Sequence, residues 1–339
     1  MSERAPADSS DERLIVHNLV GTRDLKASFA ADVREGLQAR PRRLFPKYFY
    51  DELGSQLFEA ICLLPEYYLT RAENEIFALY AGEIVEAIDA PQTLLELGSG
   101  SASKTRRIIE AILQRQGGLL FIPVDISPAA LETSSRVLLQ SYPGLRIEAY
   151  ASDYYDALAQ LRQERARGRT LALFLGSNIG NFDAQEARRF LSALRRVLST
   201  GDALLLGADL RKESSILEAA YDDSLGITAA FNLNLLARIN RELGADFNLR
   251  AFKHRAVYQE ALGRIELYLE STRAQTVSIR MLEMEARFDE GERIHTENSY
   301  KYDLEGLSQL AAETGFERTR TWLDRRERFS SNLFLAVET

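Results

Sequence analysis

Hydrophobic positions along the chain change their spacing near residue 93. Before it, residues 25–60 and 71–88 carry helix-type spacing, interrupted by Phe45-Pro46-Lys47-Tyr48-Phe49-Tyr50 and by Pro65-Glu66-Tyr67-Tyr68. After it, short apolar runs alternate with amphipathic stretches. Residues 93–97, 119–124, 146–151, 170–175 and 203–206 read as buried strands. Residues 104–114, with Ile108, Ile109 and Ile112 on one side, and residues 129–139 read as helices. Asp183 and Glu186 have the spacing of a capping box before a helix whose apolar side is Ala187, Phe190, Leu191, Leu194, Val197 and Leu198. Strand–helix alternation of this kind predicts an α/β domain, a parallel sheet covered by helices.

The alternation stops after Asp209. Residues 213–242 read as helical. Period-2 strands follow, with Ile265, Leu267 and Leu269 on one face and Glu266, Tyr268 and Glu270 on the other. Gly291, between residues 283–288 and 293–300, predicts a hairpin. A helix over 304–314 and strands over 316–323 and 331–337 close the chain, and resemble the end of a class I methyltransferase (Rossmann-like) sheet. The α/β domain is therefore expected to be discontinuous, formed by residues 71–210 and 301–339. Residues 15–70 and 211–300 would form a second, α+β substrate-binding lobe, and residues 1–14 a disordered tail.

Composition narrows the function. Hydrophobic residues make up 45%, enough for a proper core. No apolar run approaches the roughly 20 residues of a membrane span, and the polar segment from Met1 to Arg13 has no signal-peptide core. A cytoplasmic protein without a membrane partner is expected. The net charge of −8 argues against nucleic acid, whose phosphates need a basic surface. The basic stretch from Arg318 to Arg328 is broken by Asp324 and Glu327 and reads as a solvated helix end or loop face. Cys62 is the single cysteine, so no intramolecular disulfide is possible, and it reads as a small buried hydrophobe. His17, His254 and His295 are scattered without metal-ligand spacing, and no metal is expected. No internal repeat is apparent, and the chain is expected to be a monomer.

Three strand ends carry candidate chemistry. Glu96-Leu97-Gly98-Ser99-Gly100 ends the first strand, where glycines allow a sharp turn and close approach to a ligand. Ser103 stands where a dinucleotide fingerprint would have its third glycine, so an adenosyl ligand without phosphates fits better. Asp125, 27 residues after Gly98, ends the second strand and can accept both ribose hydroxyls; a helix N-cap is its other reading, with Ser127 competing for that role. Asp153, at the end of the third strand, is placed for an adenine amino group, with Tyr154 beside it for the ring. Phe174-Leu175-Gly176-Ser177-Asn178-Ile179-Gly180-Asn181-Phe182 follows the fourth strand. Its glycines and asparagines can fix an amine and a carboxylate, or form a structural loop of turn-prone residues.

These motifs carry a resemblance. Tyr48-Phe49-Tyr50-Asp51 with Leu64-Pro65-Glu66-Tyr67-Tyr68, Glu96 to Lys104, Leu175 to Asn181, Ala220-Tyr221-Asp222-Asp223 with Thr228-Ala229-Ala230-Phe231-Asn232, and Thr296-Glu297-Asn298-Ser299 look collinear with the histidine-specific N-methyltransferases of ergothioneine biosynthesis. The resemblance covers residues 25–339. It implies methyl transfer from S-adenosylmethionine to the α-amino nitrogen of L-histidine, giving N,N,N-trimethylhistidine (hercynine). Another aromatic amino acid, tryptophan or tyrosine, is the alternative acceptor. It further implies that Gly98, Lys104, Asp125, Asp153 and Tyr154 line the cofactor site, with Tyr50 and Phe58 closing over it. Tyr67, Asn181 and Tyr221 would hold the amino acid's α-amino and carboxylate groups, and Gly176 would contribute backbone. Glu297 and Ser299 would bind the imidazole, with Leu267 as a wall at a position where one family member carries Met, a swap that roughly conserves volume. On residues alone, Glu297 and Ser299 share a strand face that is better read as solvated, together with Arg293 and His295.

Overall fold

The computed structural model describes residues 11–19, 22–88, 91–162 and 168–338. The chain begins with strand β1 (Leu14–Asn18), helix α1 (Thr22–Gln38), the short strand β2 (Arg42–Arg43) and helices α2 (Glu52–Leu63) and α3 (Leu69–Glu86). An alternating series follows: β3 (Pro91–Leu97), α4 (Arg106–Gln116), β4 (Leu119–Asp125), α5 (Pro128–Ser141), β5 (Leu145–Ala151), α6 (Tyr154–Leu161), β6 (Arg169–Phe174), α7 (Ala184–Arg195) and β7 (Ala203–Asp209). Next come α8 (Ser214–Tyr221), α9 (Ile227–Leu243), β8 (Phe252–Gln259), β9 (Arg264–Ser271), β10 (Gln275–Ile279), β11 (Met284–Phe288) and β12 (Arg293–Tyr300). The chain closes with α10 (Leu304–Glu313), β13 (Phe316–Leu323) and β14 (Phe329–Ala336).

The main sheet runs β1-β5-β4-β3-β6-β7-β14-β13. Strands β1 and β3 to β7 pair in parallel, whereas β14 slots antiparallel between β7 and β13. The chain leaves β3 toward β4 on one side and returns to β6 on the other. The carboxyl ends of these strands therefore open the crevice where an open α/β sheet binds ligands. With the closing helix and antiparallel pair in place, this is the class I methyltransferase sheet. One core lies against α6, α7 and α10 and includes Leu97, Val124, Phe174 and Phe190. The other includes Leu94, Ile108 and Phe121 and runs on without a break into Phe49, Phe231, Leu235 and Leu267 beyond the sheet. No helix among the described residues is long and apolar enough to cross a membrane.

Four local readings differ from expectation. Of the tail expected over 1–14, residues 1–10 lie outside the described set, but Leu14–Asn18 is a strand of the main sheet rather than tail or lobe. Arg13 anchors it by donating to the carbonyls of Leu139 at the end of α5, of Tyr142 and Pro143 after it, and of Leu145 at the start of β5. The helical stretch expected over 213–242 is two helices: the Asp223 carboxylate accepts the N–H groups of Ile227 and Thr228, and Gly226 turns at φ +73°, so α9 starts afresh. The hairpin expected around Gly291 is not formed: β11 pairs with β10, while β12 joins the second sheet, ordered β2-β12-β9-β8. The basic stretch from Arg318 lies on strand β13 and the turn after it, where Asp324 accepts the N–H groups of Arg326, Arg328 and Phe329.

Candidate active site

The Gly98–Gly100 turn stands at the end of β3. Gly98 and Gly100 have φ of +78° and +51°, conformations that L side chains rarely adopt. A Cβ on Gly98 would stand 2.7 Å from the Tyr154 hydroxyl, whereas at Gly100 it would meet open space. Asp125 reaches across from β4 and accepts the N–H of Gly100 at 2.9 Å and of Ser127 at 3.1 Å. Burial raises its pKa, against those two N–H groups and that of Ile126. Ser127 takes the cap of α5 through Ala130, which resolves the competition noted above. Asp153 does cap a helix: its Oδ1 accepts the N–H groups of Tyr155 and Asp156. Tyr154 packs its ring on Phe174 and Phe190.

Lys104 lies on the same side. Its ammonium bonds the Glu73 carboxylate at 2.7 Å, and Glu73 in turn accepts the N–H of Gly176 with both oxygens, at 2.9 and 3.0 Å. Glu73 is wholly buried. Sequence reasoning missed it, although it left a signal: it interrupts the apolar stripe of Leu69, Ala72, Ile76 and Phe77 along α3. Behind the turn, burial pushes the Glu96 carboxyl up to about 7, against hydrogen bonds from the Thr105 and Ser99 hydroxyls.

This donor set suits S-adenosylmethionine. Asp125 accepts from backbone N–H groups alone and keeps lone pairs for ribose hydroxyls. Lys104 keeps ammonium protons for a carboxylate, and Gly100 leaves open space in the turn. No group of His, Cys, Asp and Glu among the described residues is arranged to hold a metal.

The acceptor side is built by β12, α8 and the loop after β6. A bulge between His295 and Glu297 shifts the register of β12 against β9. Glu297 then stands opposite Leu267 and Ser299 opposite Ile265, on the face of Ile294 opposite Leu269. Arg293 and His295 are thereby separated from the pair; His295 turns to Asn298 and the Tyr268 ring instead. Leu267 and Ser299 are buried. Burial pushes the Glu297 carboxyl up to about 7, with Lys301 pulling the other way. The loop is clamped onto this strand at Gly180, where a Cβ would stand 2.8 Å from the Tyr300 carbonyl oxygen. With its amide nitrogen turned toward β12, Asn181 donates to Glu297 Oε1 and the Asn298 carbonyl, both at 3.2 Å.

Aromatic rings wall the space between the two sides. Phe58 lies edge-on to Tyr50 and Tyr67, Tyr50 edge-on to Phe231, and Tyr67 edge-on to Tyr221. Burial, and then the charge of Glu297, raises the Tyr50 phenol well above its ordinary range. The Tyr221 hydroxyl is 2.7 Å from Ser299 Oγ, so it stands at the ring end of the expected substrate as well as beside Tyr67.

Comparisons with known proteins give the family. The family profile described as "Histidine-specific methyltransferase, SAM-dependent" matches residues 29–336. The chain belongs to that family. It is 43% identical over 302 residues to the histidine N-alpha-methyltransferase of Mycolicibacterium smegmatis, covering 89% of this chain and 93% of that one. It is 40% identical over 321 residues to the histidine N-alpha-methyltransferase of Mycobacterium tuberculosis, covering 95% and 99%. Ergothioneine biosynthesis protein 1 of Neurospora crassa is 32% identical over 288 residues, covering 83% of this chain and 32% of that longer protein. Of the expected residues, Gly98, Asp125 and Tyr154 meet around the turn after β3, with Lys104 following that turn and bonded to Glu73. Asn181, Tyr221, Leu267, Glu297 and Ser299 meet around β12. Beyond the expected residues, the structure adds Glu73 and Phe231, and behind Ser299 the Lys301–Asp209 ion pair.

Proposed function

We propose that the protein transfers methyl groups from S-adenosylmethionine to the α-amino nitrogen of L-histidine and forms hercynine for ergothioneine biosynthesis. The observation that carries this reading is a half-buried carboxylate, Glu297, and a buried hydroxyl, Ser299, on one face of β12. An imidazole offers one N–H and one bare nitrogen, which these two groups can match. An indole offers one N–H and no acceptor, which leaves Ser299 without a partner, and a phenol carries its donor and its acceptor on one oxygen and not on two separate ring atoms. The family relationship supports the same acceptor.

When bound, S-adenosylmethionine supplies an activated methyl group on a sulfonium. The protein's contribution is orientation. Gly98 and Asp125 hold the adenosyl part, Asp153 and Tyr154 border the base, and Lys104 takes the carboxylate. Asn181, Tyr67 and Tyr221 fix the amino acid's α-amino and carboxylate groups, while Gly176 sets the loop against Glu73. Only a neutral amine can attack, and the apolar walls formed by Phe58, Phe231 and Leu267 disfavour the ammonium form. The same rings suit a methylated ammonium product through cation–π attraction. The protein acts as a cytoplasmic monomer on this small molecule, without nucleic acid as partner. Incubation with S-adenosylmethionine and a mixture of the common amino acids, read by mass spectrometry, tests the reading. Histidine should gain three methyl groups, and preferential methylation of another amino acid overturns it.

A further inference from the structure

Behind the acceptor face lies a buried ion-pair cluster that the reaction outlined above does not use. Lys301 donates to Asp209 Oδ2 at 2.8 Å, to Ser299 Oγ at 2.8 Å and to the Tyr221 hydroxyl at 2.9 Å. Both members of the pair have wholly buried side chains. Asp209 is held in turn by the Tyr68 hydroxyl, at 2.7 and 2.8 Å, and by Lys212 at 2.6 Å. We propose that Lys301, fixed by Asp209, forces Ser299 to act as a hydrogen-bond donor and so selects one neutral tautomer of the substrate's imidazole. The proposal rests on histidine being the acceptor.

An ammonium has donors only, and all three of its protons are committed here. Ser299 and Tyr221 therefore each spend a lone pair on Lys301. Their mutual contact at 2.7 Å consumes one of their two protons. The phenol is the more acidic hydroxyl and the better donor, so Tyr221 gives its proton to Ser299. Both acceptor sites of Ser299 are then filled, by Lys301 and by Tyr221. Its remaining capacity is its own proton, which points into the site. The ring nitrogen that meets Ser299 must be bare, and the one that meets the Glu297 carboxylate must carry hydrogen. A doubly protonated ring would set an N–H against the Ser299 donor, and the opposite tautomer would set a lone pair against Glu297. Lys301 is a positioning residue: it acts on the ring through Ser299. Burial alone would lower its pKa, but Asp209 and Tyr221 outweigh that and raise it, so it stays charged.

The test is nitrogen NMR of ring-15N-labelled L-histidine bound, near neutral pH, to the full-length protein saturated with S-adenosylhomocysteine. In the wild type one ring nitrogen should show the limiting shift of a protonated nitrogen and the other that of a bare one. Lys301→Met frees Ser299 to accept. Glu297 still requires an N–H, so the nitrogen that meets Ser299 should move toward the shift of a protonated nitrogen, and the Kd for histidine should rise about ten-fold. The Kd for S-adenosylhomocysteine should not change, which a general loss of structure would not allow. If Lys301→Met does not fold, Tyr221→Phe decides, because it keeps the ion pair and also returns a lone pair to Ser299, so the same movement of the nitrogen that meets Ser299 is expected. Averaged shifts or a doubly protonated ring in the wild type overturn the proposal, as do limiting shifts that persist in the deciding variant. Failure of the wild type to bind histidine overturns the acceptor reading itself, an outcome distinct from averaged shifts.

Discussion

The Glu73 carboxylate sits between the Lys104 ammonium, at 2.7 Å, and the N–H of Gly176, so one buried side chain touches both the cofactor side and the loop on the acceptor side. Glu73→Ala would leave Lys104 without its counter-ion. Removing one partner of a buried pair costs about 3 kcal/mol at the low end of the usual range, and the low end applies because Lys104 keeps some exposure. Chemical denaturation should register that loss. Calorimetry should show weaker S-adenosylmethionine binding, and Glu73→Gln, which keeps a hydrogen-bonding side chain, should lose less on both counts.

Gly180 has no space for a side chain, with the Tyr300 carbonyl oxygen 2.8 Å from where its Cβ would be. Gly180→Ala should push the loop off β12 and pull Asn181 from Glu297. Steady-state kinetics should show kcat/KM for the amino acid falling by an order of magnitude or more, about 1.4 kcal/mol per factor of ten. S-adenosylmethionine binding should be nearly intact, and an equal loss of cofactor affinity would place the effect elsewhere.

Asp125 accepts from Gly100 and borders the turn, so Asp125→Ala should weaken S-adenosylmethionine binding by about 1.5–3 kcal/mol, the range for hydrogen bonds to a charged group. Calorimetry returning the wild-type affinity would remove Asp125 from the cofactor site.

Glu297 is held for binding at the expense of stability. Its carboxyl ionises near 4.5 in the unfolded chain and, through burial, at about 7 in the folded protein. The folded state therefore holds the proton more tightly, and stability falls as pH rises from 4.5 through 7. The full difference amounts to roughly 3 kcal/mol at most, because the carboxyl borders the open site. Glu297→Gln removes this titration. Its melting temperature should exceed that of the wild type at pH 8, with the difference shrinking toward pH 5. A constant difference across that window would show that Glu297 is not desolvated.

Much of the sheet was legible because buried parallel strands are continuous apolar runs and helices keep their 3.6 spacing: the five runs from 93 to 206 match β3 to β7 within a few residues. What failed depended on single residues or on tertiary pairing. Helical spacing continues through residues 222–226, and only the Asp223 cap and the left-handed Gly226 divide the helix. The partner of β11 is chosen by tertiary packing, so Gly291 misled. The bulge at Thr296 leaves no mark on an alternating pattern, and it is what puts Glu297 and Ser299 on the apolar face and His295 on the other. The strand-end residues Gly98 and Asp125 were legible from position alone. Glu73, Asp209 and Lys301 were not, because a buried charge reads as a surface charge until its partner is known.

The most direct measurement is a competition among histidine, tryptophan and tyrosine for methylation by the wild type, Glu297→Ala and the Glu297→Ala/Leu267→Val double variant. The wild type should consume histidine first. Glu297→Ala should raise the apparent dissociation constant for histidine about 10- to 150-fold, the equivalent of about 1.5–3 kcal/mol for a hydrogen bond to a charge, with cofactor binding nearly intact. The double variant should narrow the gap to tryptophan further by making room for an indole. A wild type that prefers tryptophan or tyrosine, or a Glu297→Ala variant that turns over histidine unchanged at low substrate, would contradict the assignment of Glu297 to the imidazole and of histidine to the site.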